Sequence, residues 1–334
     1  MIPDILAMLL ARQDLPEAAL RRVLNEMMAG RLSEAEIAAF LIGLKMKGET
    51  VGEIAAAAGV LREHMIRWDP GRDDVLDTCG TGGDGAGTFN ISTAAALVIA
   101  GCGVPVVKHG NRSVSSPSGS ADVLAALGVK IDGDAAHAQR CLREAGFAFC
   151  FAPQFHPALR HVAQVRRQLG VPTIFNCLGP LANPAGAQRQ LLGVGRRDLL
   201  DRLAGAAAKL GTQRALLVCG EDGLDEVSLS APTQARDVRA GAVSSLVWTP
   251  DDFGLAPCTA AELSAADVGA SARMVERVLL GEASAAARIT IANAAVGLLV
   301  AGRVASLRDG VKLAQEALAS GSARMVLEKL RSLQ

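Results

Sequence analysis

The sequence predicts an α/β protein with a small N-terminal helical domain and a larger α/β domain built on a central, mostly parallel sheet. Helix signals alone fill the first 70 residues, and apolar strand-like runs then alternate with helix-like runs to about residue 220. Such alternation is typical of strand-helix-strand units, whose strands pair in parallel. Half of the 334 residues are hydrophobic, which is enough for a substantial core.

The composition excludes a general attraction to nucleic acid or to anionic membranes. Lys plus Arg and Asp plus Glu both number 34, so the net charge is zero and any anion site must be local. The start of the chain lacks the basic residues of a secretory signal, and its longest uncharged apolar run, residues 289–302, is shorter than the roughly 20 residues of a membrane helix. Seven cysteines without a C-x-x-C pattern favour reduced, buried thiols and a cytoplasmic protein.

The helical part begins with recognisable helix caps. Ser33 with Glu36 and Thr50 with Glu53 fit the S/T-x-x-E capping box, so we expect at least three short helices before residue 70. The last of them, "IAAAAGVLREHM", is apolar on more than one face. We therefore expect it to bury a surface against a second subunit.

A strand, a glycine loop, a helix and a second strand follow from residue 73. They read "VLDT", "GTGGDG", "STAAALVIAGCG" and "VPVVKH". The loops of such a unit lie at one edge of the sheet, where ligands bind. The alternation continues through helices "DAAHAQRCLREA", residues 157–169 and "RDLLDRLAGAAAKLG", and through strands "FAFCF", "QLLGV" and "RALLVCG". Residues 233–250 predict a polar hairpin or meander, and mostly helical sequence follows.

The glycine loop fits more than one kind of turn. Gly80, Gly82 and Gly85 match the G-x-G-x-x-G pattern of dinucleotide sites. Two features disfavour that interpretation: the helix signal starts several residues later, and the second strand ends in Lys108 and His109 instead of an acid that would bind a ribose. The phosphate loop G-x-x-x-x-G-K-[ST] is absent, and a purely structural turn remains an alternative.

Polar residues around this loop indicate a site for a polyanion. Residues 90–93, "NIST", place two hydroxyls and an amide at a helix start, where free N–H groups favour anions, although a simple N-cap would need the same residues. Residues 108–116, "KHGNRSVSS", add two cations and three hydroxyls, and residues 118–120 open another helix. A charged loop is often only solvated surface, but its position between two apolar elements favours convergence on one ligand.

Asp225 and Glu226 are candidate magnesium ligands. They follow the strand "RALLVCG", and adjacent carboxylates at a strand end suit Mg²⁺ shared with substrate phosphates. Neighbouring acids are more often surface residues. A polyphosphate held by Lys108 and Arg112 would nevertheless require a cation for its remaining charge.

At these motifs the chain resembles the anthranilate phosphoribosyltransferase family, which belongs to the nucleoside-phosphorylase-like transferases. The resemblance extends over almost the whole chain. The motifs that carry it, in the family's order, are "LSEAEIAAFLIGLKMKGET", "GTGGDG", "NIST", "KHGNRSVSS", "GSADVLAALG", "RRQLGVPTIFNCLGPLANP" and "DEVSL".

The resemblance implies the reaction, the domains and the assembly. The amine of anthranilate would attack C1 of phosphoribosyl pyrophosphate and expel pyrophosphate, with Mg²⁺, in tryptophan biosynthesis. Residues 1–70, joined by the helical segment at about 157–180, would form the dimerisation and anthranilate side of a homodimer. Residues 71–334 would bind phosphoribosyl pyrophosphate and Mg²⁺ on a nucleoside phosphorylase-like α/β domain.

The resemblance also implies site residues. The phosphoribosyl pyrophosphate ligands would be Gly80, Thr81, Gly82, Gly83, Asp84, Thr88, Asn90, Ile91, Ser92, Thr93, Lys108, Ser113 and Ser116. Anthranilate would contact Gly80, His109, Asn111, His156, Arg166 and Gly179. The metal ligands would be Ser92, Asp225 and Glu226, with Asp84 nearby.

The chemistry of the residues agrees with these assignments. An aromatic amine is neutral at pH 7, so no classical acid–base pair is needed, and positioning by Lys108, Asn111 and Arg166 with stabilisation of the leaving pyrophosphate would suffice. Arg166 could bind a carboxylate in a bidentate fork, or it could simply lie on a solvated helix face. His156 is placed equally well at the anthranilate entry or in a structural role. Pro117 interrupts the serine-rich loop, which could reduce its phosphate contacts.

Two rival functions remain at this stage. A pyrimidine nucleoside phosphorylase of similar fold would use inorganic phosphate and a nucleobase, which "KHGNR" and "FNCLGPL" disfavour. A non-catalytic relative that binds nucleic acid would need a basic surface and degraded ligand loops. The zero net charge and the intact "GTGGDG" and "NIST" motifs argue against it.

Overall fold

A computed structural model describes residues 2–113 and 118–334. The proposed phosphate ligand Ser116 and the loop residue Pro117 lie outside the described residues. The predicted fold class is confirmed: an N-terminal helical bundle lies beside a larger α/β domain. Within the described residues, no helix is both long enough and apolar enough to cross a membrane.

The helical part is built from four consecutive helices, and both predicted capping boxes form. The Ser33 hydroxyl accepts a hydrogen bond from the Glu36 N–H, and the Thr50 hydroxyl accepts one from the Glu53 N–H. Each glutamate carboxylate in turn accepts a bond from the backbone N–H of its cap residue. These reciprocal bonds satisfy amides that a helix start leaves free. The helices are α1 (Ile2–Leu10), α2 (Glu17–Met28), α3 (Glu34–Lys47) and α4 (Val51–His64).

The alanine-rich helix α4 is buried within the chain itself. Its residues 55–58 are at most 5 % exposed. It packs against α2 on one side and, on the other, against a helix of the α/β domain, α11 (Arg197–Lys209). The expectation that its second apolar face meets another subunit is therefore wrong, because small alanine side chains let two neighbours of the same chain approach it closely.

The sheet of the described residues has seven strands in the order β3-β2-β1-β4-β5-β6-β7. The first five are parallel, and the last two form the predicted antiparallel hairpin. The strands are β1 (Leu76–Asp77), β2 (Val106–Gly110), β3 (Phe147–Phe151), β4 (Arg189–Gly193), β5 (Arg214–Gly220), β6 (Thr233–Arg239) and β7 (Ala242–Trp248).

Helices cover both faces of the sheet, and one apolar cluster joins the bundle to it. This cluster runs from α1 through α4 and α11 into β4 and β5, so the bundle shares its core with the larger domain. A second cluster fills the opposite face. The remaining α-helices are α5 (Ile91–Gly101), α6 (Ser120–Ala126), α7 (Ala135–Ala145), α8 (Ala152–Phe155), α9 (Arg160–Leu169), α10 (Phe175–Leu178), α12 (Pro250–Phe253), α13 (Ala260–Leu263), α14 (Val268–Leu279), α15 (Ala285–Val300), α16 (Leu307–Ala319) and α17 (Ser322–Ser332).

The strand order fixes where a ligand can bind. Successive crossovers place β2 and β3 on one side of β1, and β4 and β5 on the other. The strand order therefore reverses between β1 and β4, which run parallel to each other, and a crevice opens at their carboxyl ends. The glycine loop follows β1 and the "KHGN" turn follows β2, so both predicted ligand loops lie at this edge. All seven cysteines fall in the described part of the chain, where they are buried and unpaired.

Candidate active site

A cleft of about 320 Å³ lies at the carboxyl edge of the sheet, between the α/β domain and the helical bundle. It brings together nearly all the site residues proposed from the sequence. Thr93 is an exception among the described residues, because it is fully buried and its hydroxyl donates to the Asn90 side chain. The proposed residues that line the cleft are Gly80, Thr81, Gly82, Gly83, Asp84, Thr88, Asn90, Ile91, Ser92, Lys108, His109, Asn111, Ser113, His156, Arg166, Gly179, Asp225 and Glu226.

The glycine loop has a backbone that only glycine adopts readily. Gly82, Gly83, Gly85 and Gly87 have φ angles between +64° and +82°. Bonds to neighbouring loops shape it: the Thr81 N–H donates to the Gly193 carbonyl at 2.8 Å, and the Gly82 N–H donates to Asp225 Oδ2 at 3.1 Å. The amides of residues 83–85 donate to no acceptor among the residues that the structure describes. They are therefore available to an anion.

Close backbone contacts hold this loop against the neighbouring strand ends. A Cβ on Gly193 would lie 1.7 Å from the Asp225 carbonyl oxygen, and one on Gly195 would lie 2.7 Å from the Gly82 carbonyl oxygen. Both positions consequently require glycine. The three loops after β1, β4 and β5 meet at this point, which places the Asp225 carboxylate beside the glycine loop.

Lys108 lies beneath the start of α5. Its ammonium group donates to the Thr78 carbonyl at 2.8 Å, to the Thr78 hydroxyl at 3.2 Å and to Ser92 Oγ at 3.2 Å. The side chain is 2 % exposed. Burial lowers the pKa of this ammonium, and the charges of Asp77 and Glu226 oppose that effect. Lys108 thus supplies positive charge to the floor of the cleft and orients the hydroxyl of Ser92.

Three carboxylates crowd the same end of the cleft. Asp84 Oδ2 lies 3.5 Å from the Asp225 N–H. Burial, together with the charge of Asp84, raises the pKa of Asp225 to about 7, and burial with the charge of Asp225 raises the pKa of Glu226. The two residues keep partial exposure at the mouth of the cleft, so a ligand can reach them. Their mutual repulsion is the electrostatic condition that a bound cation relieves.

These residues fit a magnesium ion that shares its coordination with a substrate. Within residues 2–113 and 118–334, no group of three or more His, Cys, Asp or Glu side chains is arranged to hold a metal by itself. Mg²⁺ commonly takes only one or two protein carboxylates and completes its shell with water and phosphate oxygens. The Asp225–Glu226 pair with the Ser92 hydroxyl matches that mode of binding.

Two neutral imidazoles line the opposite end of the cleft. His109 Nδ1 lies 2.9 Å from the Gly179 carbonyl, and His156 Nε2 lies 3.1 Å from the Ala182 carbonyl. A carbonyl oxygen only accepts hydrogen bonds, so these nitrogens carry the protons. Burial lowers the pKa of His109 to about 3 and that of His156 to about 4, so both rings are neutral at pH 7.

The remaining nitrogen of each ring is an acceptor. His109 Nε2 and His156 Nδ1 are buried and have no hydrogen-bond partner within the described structure. The two ring centroids are 5.0 Å apart. A buried acceptor without a donor is unfavourable, so this end of the cleft is suited to a ligand that offers N–H groups.

The carbonyl clamp, as we name residues 179–182, fixes these rings. Four consecutive carbonyls each accept a bond from a side chain of a different element. The donors are His109 to residue 179, Gln190 to residue 180, Arg62 to residue 181 and His156 to residue 182. The clamp therefore ties α4, β2 and β4 together beside the cleft.

Arg166 supplies a cation at this apolar end. Its guanidinium stacks over the Phe175 ring at 5.4 Å, and no carboxylate in the described part of the chain lies within ion-pair distance of it. Burial lowers its pKa, since the charge is partly removed from water. Arg112, in contrast, pairs with Asp122 at 2.9 Å and is largely exposed.

Sequence reasoning missed the apolar lining of the cleft. The apolar side chains of Leu61, Leu159 and Phe175 line the cleft together with the amide of Asn176, and Leu61 comes from α4. The "FN" pair lies inside the quoted motif "FNCLGPL", although no role was assigned to it. Leu61 could not be found from the sequence, because nothing in the spacing of α4 distinguishes a residue at the cleft from one in the core.

Comparisons with known proteins identify the family. The family model described as "Glycosyl transferase family, helical bundle domain" matches residues 3–65, and "Glycosyl transferase family, a/b domain" matches residues 72–324. A protein of Anaeromyxobacter dehalogenans named anthranilate phosphoribosyltransferase is 50 % identical over 100 % of this chain and 98 % of its own. This chain belongs to the anthranilate phosphoribosyltransferase family.

Solved structures of the anthranilate phosphoribosyltransferase family have the same fold. That of the Thermus thermophilus protein matches with a TM-score of 0.91 and 41 % identity over 99 % of both chains. The Saccharomyces cerevisiae protein, 27 % identical over 99 % of this chain and 97 % of its own, has been solved with PRPP and Mg and with 4-fluoroanthranilate, with TM-scores of 0.91 and 0.88.

Proposed function

We propose that this protein transfers the phosphoribosyl group of phosphoribosyl pyrophosphate to the amine of anthranilate and releases pyrophosphate. One observation supports this more than any other: a single cleft carries an anion site and paired carboxylates at one end, and two imidazole acceptors with a free guanidinium at the other. The two ends match a phosphorylated sugar and an aromatic amino acid. The family membership makes these two substrates the natural choice.

The glycine loop and the start of α5 would hold the pyrophosphate and the 5-phosphate. The open amides of residues 83–85 and the N-terminal end of α5 favour negative charge. Lys108 adds a positive charge that is fixed in place by Thr78 and Ser92. Because these groups are already oriented before substrate binds, they stabilise the charge that builds up on the departing pyrophosphate.

Asp225, Glu226 and Ser92 would hold Mg²⁺. The bound ion would neutralise charge on the leaving pyrophosphate. The chain's own contribution is to keep two carboxylates at the mouth of the cleft despite their repulsion, by anchoring Asp225 to the Gly82 N–H. That anchor joins the metal ligands to the loop that would carry the phosphates.

His109, His156 and Arg166 would orient anthranilate. The unprotonated nitrogens of the two imidazoles would accept the two N–H groups of the aromatic amine. Arg166 would pair with its carboxylate. With its hydrogens directed at the rings, the amine would present its lone pair to the ribosyl carbon, and rate enhancement would come from this alignment.

We further propose a cytoplasmic homodimer in which the two domains bind different substrates. Leu10 on α1 and Met46 on α3 are 85 % and 70 % exposed, which suits a surface covered by a second copy. Residues 1–70 with the segment 157–180 would carry this surface and the anthranilate side. Residues 71–334 would bind phosphoribosyl pyrophosphate and Mg²⁺.

The test is the loss of anthranilate fluorescence on mixing protein with phosphoribosyl pyrophosphate. We expect loss only when protein, both substrates and Mg²⁺ are all present. Folded protein that consumes no anthranilate under these conditions would contradict the proposal. Phosphorolysis of a pyrimidine nucleoside by the same preparation would then favour the nucleoside phosphorylase alternative.

A further inference from the structure

His109 is held at two points by a closed circuit of hydrogen bonds. Its ring donates to the Gly179 carbonyl, and its backbone N–H donates to Asp77 Oδ1 at 3.1 Å. Gln190 Nε2 in turn donates to Asp77 Oδ2 at 3.5 Å and to the Pro180 carbonyl at 2.5 Å. The circuit therefore runs from the His109 backbone through Asp77, Gln190 and the carbonyl clamp back to the His109 ring.

Asp77 and Gln190 lie below the cleft and not in its lining. Asp77 on β1 is fully buried and Gln190 on β4 is 5 % exposed. Burial raises the pKa of Asp77 to about 6, while bonds from Asn183 and His109 and the charge of Lys108 oppose that rise. The donors His109 N–H and Gln190 Nε2 face the two carboxylate oxygens, so both oxygens of Asp77 act as acceptors. Neither side chain lines the cleft, so each acts on the reaction through its neighbours. His109 is the neighbour that the circuit connects to both, and Asp77 also places its charge near Lys108.

We propose that Asp77 and Gln190 are positioning residues that set the place and the tautomer of the His109 ring, so that its Nε2 faces the cleft as a hydrogen-bond acceptor. Gln190 holds the clamp in the position where the Gly179 carbonyl accepts the hydrogen bond from His109 Nδ1–H. Asp77 holds the backbone from which the ring extends. This role deepens the proposed function and rests on it, because the ligand for Nε2 is the amine of anthranilate.

The donor pattern makes the circuit sensitive to a change of one atom. In Asp77→Asn, an NH₂ group replaces one acceptor oxygen and must face either the His109 N–H or the Gln190 amide, which are both donors. If Gln190 turns its amide to avoid this conflict, its oxygen faces the Pro180 carbonyl. Gln190→Met removes both donors while keeping a similar volume, so it tests the same circuit from the other side.

Steady-state kinetics with both substrates tests the proposal. We expect Asp77→Asn and Gln190→Met to raise the KM for anthranilate about tenfold, the effect of losing one hydrogen bond of roughly 1.4 kcal/mol, with the KM for phosphoribosyl pyrophosphate changed less than threefold. The control Asp237→Asn makes the same change at a buried strand position outside the cleft. Equal changes in both KM values, or none, would overturn the proposal.

The double variant Asp77→Asn with Gln190→Met tests whether the two residues act through one shared circuit or affect anthranilate binding independently. If both residues act through His109, Asp77→Asn with Gln190→Met will raise the KM for anthranilate no more than the worse single variant. A product of the two single effects, about a hundredfold, would contradict a shared circuit.

The tautomer can be measured without any turnover. The chain has five histidines, so protein labelled with ¹⁵N-histidine gives few signals, and His109→Gln assigns the one of interest. We expect wild-type His109 to carry its proton on Nδ1 and Gln190→Met to lose that state. Wild-type protein with the proton on Nε2 would overturn the positioning role even if no variant folds. The expected tautomer without transferase activity would contradict the proposed function alone.

Discussion

The glycine loop and the carbonyl clamp lie at the two ends of the cleft, and their backbone groups differ in whether they are already hydrogen-bonded. The loop leaves the amides of residues 83–85 without acceptors among the described residues, whereas every carbonyl of residues 179–182 accepts a side-chain bond. The loop presents its own backbone to a ligand. The clamp uses its backbone to orient two imidazoles, and these face the ligand in its place.

The difference follows from the charge that each end would meet. A polyanion is bound well by many N–H groups around a concave backbone, and small shifts cost little because its charge is spread over several oxygens. A neutral amine offers two directed hydrogens, so its partners must be fixed in both position and tautomer. One end is therefore defined by glycine conformations and the other by side-chain hydrogen bonds.

The largest effect is expected where the glycine loop meets the acids. Asp225→Asn with Glu226→Gln removes ligand charge without changing volume, and we expect kcat with Mg²⁺ to fall at least about 100-fold. Without Mg²⁺ the variant should unfold at a higher temperature than wild type, because the repulsion is gone. Glu221→Gln, an exposed change in the same segment, is the control. Full activity in the double variant would exclude the metal role.

Removing the cation at the clamp end should affect one substrate only. Arg166→Ala deletes the partner of the anthranilate carboxylate, and we expect kcat/KM for anthranilate to fall about 10- to 100-fold, or roughly 1.4–3 kcal/mol. The KM for phosphoribosyl pyrophosphate should stay within threefold. Arg167→Ala, on the exposed side of α9, should change neither value. Equal losses for both substrates would refute the assignment.

The clamp end should also contribute to the pH dependence of stability. His156 has a folded pKa of about 4, below its unfolded value near 6.5, so the unfolded chain binds more protons between these limits. This histidine therefore lowers the free energy of unfolding as pH falls from about 6.5 to 4. We expect His156→Gln to reduce that slope by up to about 1.4 kcal/mol per pH unit in urea titrations. An unchanged slope in His156→Gln would contradict the burial of a neutral ring.

The smallest effect compares one glycine from each end. Gly83 has a φ of +82° with open space at its Cβ, so Gly83→Ala should cost about 1–2 kcal/mol of unfolding free energy through backbone strain alone. Gly179 has a helical φ of −49° and equally open space, so Gly179→Ala should stabilise by up to about 1 kcal/mol. Chemical denaturation of both variants measures the contrast. Equal costs would show that φ does not distinguish the two ends.

The sequence was most informative where chemistry follows local spacing. Capping boxes predicted α3 and α4, and the strand-helix alternation predicted the parallel sheet, because both signals depend on residues close together in the chain. The loops around residues 80 and 225 could be placed at one edge for the same reason. Thr93 was misplaced, since its neighbours cannot reveal that its hydroxyl turns back to Asn90.

Long-range contacts were beyond the reach of the sequence. The partners of α4 could not be read from its alanines, because α11 is supplied by a segment about 150 residues later. The carbonyl clamp was hidden for the same reason: its donors come from positions 62, 109, 156 and 190. Their convergence results from the strand order of the sheet, and no periodic pattern in the sequence indicates it.

The shared core of the bundle and the sheet has a consequence for unfolding. Since one apolar cluster extends from α1 into β4 and β5, separating the bundle would expose apolar surface on both sides of the cut. The chain should therefore melt in a single cooperative transition, with equal calorimetric and van't Hoff enthalpies. The cleft lies where these two bodies join, and a ligand bound there would raise the melting temperature of both together.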